Sequence, residues 1–177
     1  MPGSRRTRRW FLGVAIAVVA VLVAGVAVYV YQWSRRGMQP TITAAEGARR
    51  VEEYTRQAAA RLPAHARLVN SGGTELFSTA PCDQPSDHGP QGRVQVSVSY
   101  QIHDLDPAKF TEYFDALRAF WSGNGYTVLT DSRPKDWYLW VQREPDEFRF
   151  SLEGNDLGKL YLGGVTPCLW PNGTPPA

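Results

Sequence analysis

Apolar and polar positions divide this chain into two unlike parts. From Trp10 to Tyr31 it runs 22 residues without a charge, WFLGVAIAVVAVLVAGVAVYVY, and no polar stripe would survive on any side of a helix. At about 1.5 Å per residue that helix is roughly 33 Å long, against a hydrocarbon core of about 30 Å. The pattern predicts a transmembrane helix over residues 10–33, preceded by a basic stub at residues 1–9. Trp10 at one end and Tyr29, Tyr31 and Trp33 at the other fall where amphipathic rings prefer the membrane interface.

Downstream, the apolar positions take the spacings of amphipathic elements. Residues 34–43 read as a polar linker. Thr43 and Glu46 then form a capping-box pair, and Val51, Tyr54, Ala58 and Leu62 recur at helical spacing until Pro63. Two short strands are expected at Arg67–Asn70 and Glu75–Thr79 across a Ser71-Gly72-Gly73 turn, followed by a loop from Ala80 to Gly92. Val94, Val96, Val98, Tyr100 and Ile102 alternate with Gln95, Ser97, Ser99, Gln101 and His103, which predicts a strand with one buried and one wet face. Asp106 and Pro107 cap a helix whose stripe is Phe110, Tyr113, Phe114, Leu117, Phe120 and Trp121, ending at Gly123-Asn124-Gly125. Strands at Tyr126–Asp131, Trp137–Arg143, Glu147–Glu153 and Lys159–Thr166 follow in unbroken succession, the pattern of antiparallel pairing. The expected fold class is α+β: after the transmembrane helix, an antiparallel sheet of about five or six strands with two helices packed on one face, filling residues 44–171. Residues 172–177 are expected to be a disordered tail, in which Asn172-Gly173-Thr174 matches a glycosylation acceptor pattern.

Charge adds an address. Six of the 19 basic residues precede residue 37 and no acid does, so the remainder carries 13 basic against 17 acidic residues. Four arginines before the apolar run against two after it favour a cytoplasmic N-terminus and an extracellular C-terminal domain, a single-pass signal-anchor arrangement at the cell membrane. A cleaved signal peptide is the rival, with Gly25 and Ala27 as a small-residue cleavage pattern, but its apolar region would be about 7 to 15 residues. A lipid anchor needs a cysteine at the end of the apolar run, and the two cysteines are Cys82 and Cys168. Both lie in PCxxP segments, each after a strand. Outside the cytoplasm such a pair is most simply a disulfide, with two unrelated buried thiols as the alternative. No nucleic-acid partner is expected, because beyond residue 36 the basic residues are scattered, with at most Arg49 and Arg50 adjacent.

These features carry a resemblance. The PC at 81 and 82, the Val94 strand, the FTEYFDALRAFWSGNGY helix, the VQREPDEFRFSLE hairpin and the closing TPCLWP resemble small envelope proteins of actinobacteria. Those proteins are held by a transmembrane helix or a lipidated cysteine and carry one secreted domain of unknown function. The resemblance covers roughly residues 44–171 and implies an envelope location without implying an activity. The chain departs from the lipoprotein members in lacking the lipidated cysteine.

Candidate chemistry is sparse. His88 beside Asp87 and His103 beside Asp104 would make a two-histidine, two-carboxylate site if their segments met, and they define the alternative reading, a cell-envelope hydrolase. His65 follows a helix without a ligand spacing. No HExxH, GxSxG, SxxK or CxxC motif and no phosphate-binding glycine loop occurs, so neither cofactor nor metal is expected. Glu144, Asp146 and Glu147 fall at a hairpin turn and are expected to be solvated. Strand parity singles out a surface instead. If Pro145 and Asp146 form the turn, Val141 faces Phe150 and Leu139 faces Leu152 in the core, which sends Tyr138, Trp140, Arg149 and Ser151 to the opposite face, with Tyr161 at the same parity on the last strand. Trp137 and Trp121 are expected in the core. Rings and a guanidinium on a solvent face suit a non-catalytic binding or envelope-assembly module for another envelope protein or a glycan.

Overall fold

Ten-residue alternation in one strand organises the folded part of this protein. The computed structural model describes residues 21–30, 38–82 and 90–176. The chain divides into two compact units, Met1–Gln39 and Pro40–Ala177. In the first, residues 21–30 form a helix, α1, made only of apolar residues, and every one of its side chains is exposed. The rest of the expected span, residues 10–20 and 31–33, lies outside the described residues. Among the described residues no helix is long and apolar enough to cross a membrane.

The second unit runs α2 (Ala44–Ala59), β1 (Arg67–Asn70), β2 (Ser78–Pro81), β3 (Val94–His103), a 3-10 turn (Pro107–Lys109), α3 (Phe110–Gly123), β4 (Tyr126–Asp131), β5 (Tyr138–Arg143), β6 (Arg149–Gly154) and β7 (Leu160–Val165). All pairings are antiparallel in a seven-stranded sheet of order β1-β3-β7-β6-β5-β4, with β2 also on β3. The expected α+β architecture holds, with more strands than the five or six anticipated.

Local chemistry starts both helices where the sequence places them. The Glu46 N–H donates to Thr43 Oγ1 at 3.1 Å, and the Ala108 N–H donates to Asp106 Oδ1 at 3.0 Å ahead of α3. Phe110, Tyr113, Phe114, Leu117 and Trp121 are buried, so the predicted stripe of α3 faces the sheet. Trp137 packs edge-on against Phe110, with ring centroids 5.7 Å apart, and it precedes β5 rather than opening it.

Two expectations need correction. Strands β1 and β2 do not pair with each other. Arg67–Asn70 lies opposite Tyr100–His103, and Ser78–Pro81 lies opposite Val94–Ser97, so the two form one edge strand interrupted by residues 71–77. The ten-residue length of β3 leaves room for both, and Asn70 holds the excursion by donating through Nδ2 to the carbonyls of Gly73 at 3.2 Å and Glu75 at 2.7 Å. The second correction concerns the C-terminal tail, expected to be disordered from residue 172. The Thr41 N–H donates to the Gly173 carbonyl at 2.9 Å, the Ala44 N–H to the Pro171 carbonyl at 3.2 Å, and the Trp170 N–H to Thr41 Oγ1 at 2.9 Å. Trp170 is buried, and burying its ring supplies what a polar PNGT sequence lacks by itself. The segment is therefore a strap. Leu169 bridges to Val94, and Cys168 is disulfide-bonded to Cys82 with Cα atoms 6.0 Å apart, the pairing expected of the two PCxxP cysteines.

Helix α2 lies on β3 and β7, and α3 lies on β4 and β5, so both cover the same face. The approach of α2 is close because β7 has a glycine beneath it. A Cβ on Gly164 would come within 2.7 Å of Thr55 Oγ1 and 2.8 Å of Val51 Cγ2. Tyr100 ties the same helix to β3 by donating its hydroxyl to Glu52 at 2.6 Å, and burial together with that carboxylate raises its pKa to about 12.

Gly164→Val is expected to lower stability by about 1–3 kcal/mol, since the new methyls have nowhere to go. Urea unfolding checks this as a lower midpoint at unchanged slope. Replacing Cys82 and Cys168 together by Ser is expected to cost up to about 4.6 kcal/mol, the chain-entropy value for a loop with a sequence separation of 86. Hydrogen exchange should then rise first at Trp170, Gly173 and Thr41, where the strap is held.

Candidate functional site

The face of the sheet turned away from the helices carries every residue that strand parity selected. The observed register pairs Leu139 with Leu152 and Val141 with Phe150, the pairing expected from a turn at Pro145-Asp146. These four side chains are fully buried on the helix side. Tyr138, Trp140 and Arg149 therefore project to the other side, and so does Tyr161, which alternates with buried Leu160 and Leu162. No helix or strand among the described residues packs over this face.

Cross-strand pairs arrange it in three rows. The first runs Gln101, Tyr161, Glu153, Tyr138 from β3 to β5. The second runs Ser99, Gly163, Ser151, Trp140, and the third Ser97, Val165, Arg149, Gln142. With strands about 4.8 Å apart and same-face residues about 7 Å apart along a strand, the three rings and the guanidinium share an area roughly 10 by 14 Å. The Tyr138 and Trp140 rings are stacked, 17° from parallel with centroids 6.4 Å apart. Tyr161 stands one strand beyond Glu153. Arg149 sits in the far row, away from both tyrosines, and its Nε donates to Gln142 Oε1 at 3.0 Å.

The middle row is low. A Cβ on Gly163 would meet Ser151 Oγ at 3.1 Å, and Ser99 and Ser151 are small, so a shallow trough crosses β3, β7 and β6 and ends against Trp140. Gly163 and Glu153 were not among the parity-selected residues. Glu153 could have been, because it alternates with Arg149 and Ser151. Gly163 acquires meaning only when β7 is placed between β3 and β6. Gln101 and Ser99 belong to the wet face that the β3 alternation already defines.

The residues of the hydrolase alternative do not form a site among the described residues. Asp87 and His88 lie outside them. His103 ends β3 opposite Arg67, and Asp104 accepts from Arg67 Nε at 3.0 Å, an exposed ion pair at the sheet edge. His65 is exposed. At the hairpin turn, Glu144 and Glu147 are exposed, whereas Asp146 is drawn against the helix layer. It accepts from Arg143 and, at 3.3 Å, from the Tyr54 hydroxyl, while the Arg143 guanidinium lies 4.4 Å over the Tyr54 ring. That cluster pins the β5–β6 turn to α2. Burial, then the Asp146 charge, raises the Tyr54 phenol above its ordinary value.

No family model, curated protein or solved structure matches this chain.

On the open face, burial and then the Glu153 carboxylate opposite raise the Tyr138 phenol above its ordinary 10.0. Removing that charge with Glu153→Gln should bring the Tyr138 titration down toward 10.0, read from the ring chemical shifts as pH rises. An unmoved titration would show that the two side chains are not neighbours.

Proposed function

We propose that this protein is a single-pass, membrane-anchored binding module whose Pro40–Ala177 unit lies outside the cell membrane and recognises an envelope component through its open sheet face. Residues 10–33 form the anchor, with residues 1–9 on the cytoplasmic side, and the module is non-catalytic. Support for the anchor comes from the uncharged run, from the arginine asymmetry across it, and from α1, where ten consecutive residues without a charge stay exposed. The disulfide supports an oxidising compartment. The resemblance to actinobacterial envelope proteins points to the same address.

The observation that carries the binding role is the aromatic group of Tyr138, Trp140 and Tyr161 on a face that no described helix or strand covers. An antiparallel sheet needs only one covered face, and the other is ordinarily polar. Placing three half-buried rings around the centre of the wet face leaves part of their area in water where folding does not require it, and such area is characteristic of recognition surfaces.

Cross-linking the tagged full-length chain in its native cells tests this reading. Envelope material should co-purify with the wild type and fall about tenfold for the Trp140→Ala/Arg149→Ala double variant, with unfolding unchanged because both side chains lie outside the core. Capture that is equal for the two proteins would sink the proposal.

A further inference from the structure

We infer that the open face takes a neutral glycan chain built of pyranose rings, laid across the strands along the Ser99-Gly163-Ser151 trough with one sugar against Trp140. This rests on the reading of that face as the recognition surface and goes further in naming the ligand. The rows supply both halves of the chemistry a sugar presents. A pyranose has an apolar face of C–H groups and a rim of hydroxyls that both donate and accept. The near-parallel Tyr138 and Trp140 planes answer the first.

The rim is answered by hydrogen-bonding groups that the fold does not use. The Trp140 Nε1–H, the Tyr138 and Tyr161 hydroxyls, the Glu153 carboxylate and the Gln101 amide make no hydrogen bond among the described residues, while buried Ser151 lies in the floor beside Trp140. Some polar side chains elsewhere on the unit are committed. Asn70 and Asn155 close turns, Asp106 and Thr43 cap helices, and Asp131 and Asp104 hold arginines. Free donors and acceptors gathered around parallel rings suit a polyhydroxylated ligand, which needs many directional bonds at a flat surface.

Charge and shape weigh against the other occupants. The three rows hold one cation, Arg149, and one anion, Glu153, so an ionic polymer finds no field to follow. A protein partner would bury a large apolar or aromatic anchor at the centre, whereas the centre here is Gly163 between Ser99 and Ser151. A peptide added as a strand would use a sheet edge and its backbone groups, not the face.

The test uses the full-length chain in a detergent without a sugar headgroup, with the disulfide intact, and four probes: cellohexaose, maltohexaose, mannohexaose and chitohexaose, each at about millimolar concentration. Saturation-transfer NMR should show contact concentrated on the ring C–H protons of at least one probe. Affinity for that probe should fall about tenfold or more in Trp140→Ala, and also in Gly163→Ala, which raises the trough floor without removing any ring or hydrogen-bonding group. Circular dichroism confirms that each variant is folded. Absence of transfer to all four probes, or transfer that persists in both variants, overturns the glycan assignment. If envelope material is still captured in a Trp140-dependent way while no hexasaccharide binds, the glycan inference fails and the recognition surface stands; if capture is independent of the face as well, both fail.

Discussion

The contact between α2 and the middle of the sheet is the constraint on which the remaining structure depends. β7 lies between β3 and β6, at the junction of the half of the sheet built from the first strands and the half built from the last hairpins. Its Gly163 and Gly164 point to opposite faces. Gly164 lets Val51 and Thr55 of α2 close onto the strand, and the Glu52–Tyr100 hydrogen bond holds the helix beside it. Gly163 leaves the low point of the open face. One dipeptide therefore permits dense packing on the covered side and makes the trough on the other, because adjacent residues of a strand must face opposite ways.

A second set of contacts joins the two ends of the folded unit. Thr41 to Ala44, where the chain enters α2, is hydrogen-bonded to Pro171 and Gly173, and the disulfide fastens the same strap to Cys82 beside the start of β3. The first and last segments of the unit are thereby held at one place. The ion pairs on α2, such as Arg50 with Glu46 at 2.7 Å, are partly exposed and contribute little beside these contacts.

Much of this was legible in the residues because the signals were local and repeated. The β3 alternation, the α3 stripe, the Thr43 and Asp106 caps and the hairpin register at Pro145-Asp146 each follow from spacing within one element or across one turn. Asp146 departs from the solvated position expected of it because turn position implies solvent only when nothing folds over the turn, and Tyr54, 92 residues away along the chain, comes to it from α2. The strap was missed for a similar reason: PNGT is a loose sequence, ordered here by Thr41, far away along the chain.

The sequence by itself determined which side of each strand meets water, since side-chain alternation has a period of two and the core accepts one parity only. It also determined the uncharged run, the cysteine pair and the identity of Tyr138, Trp140, Arg149 and Tyr161 as outward residues. Only the tertiary structure decided their neighbours. Strand order is set by long-range pairing, which leaves no periodic trace in the chain, so the placement of β7 between β3 and β6, the end-to-end seating of β1 and β2, and the meeting of Gly163 with Ser99 and Ser151 became visible only when the sheet closed around its core.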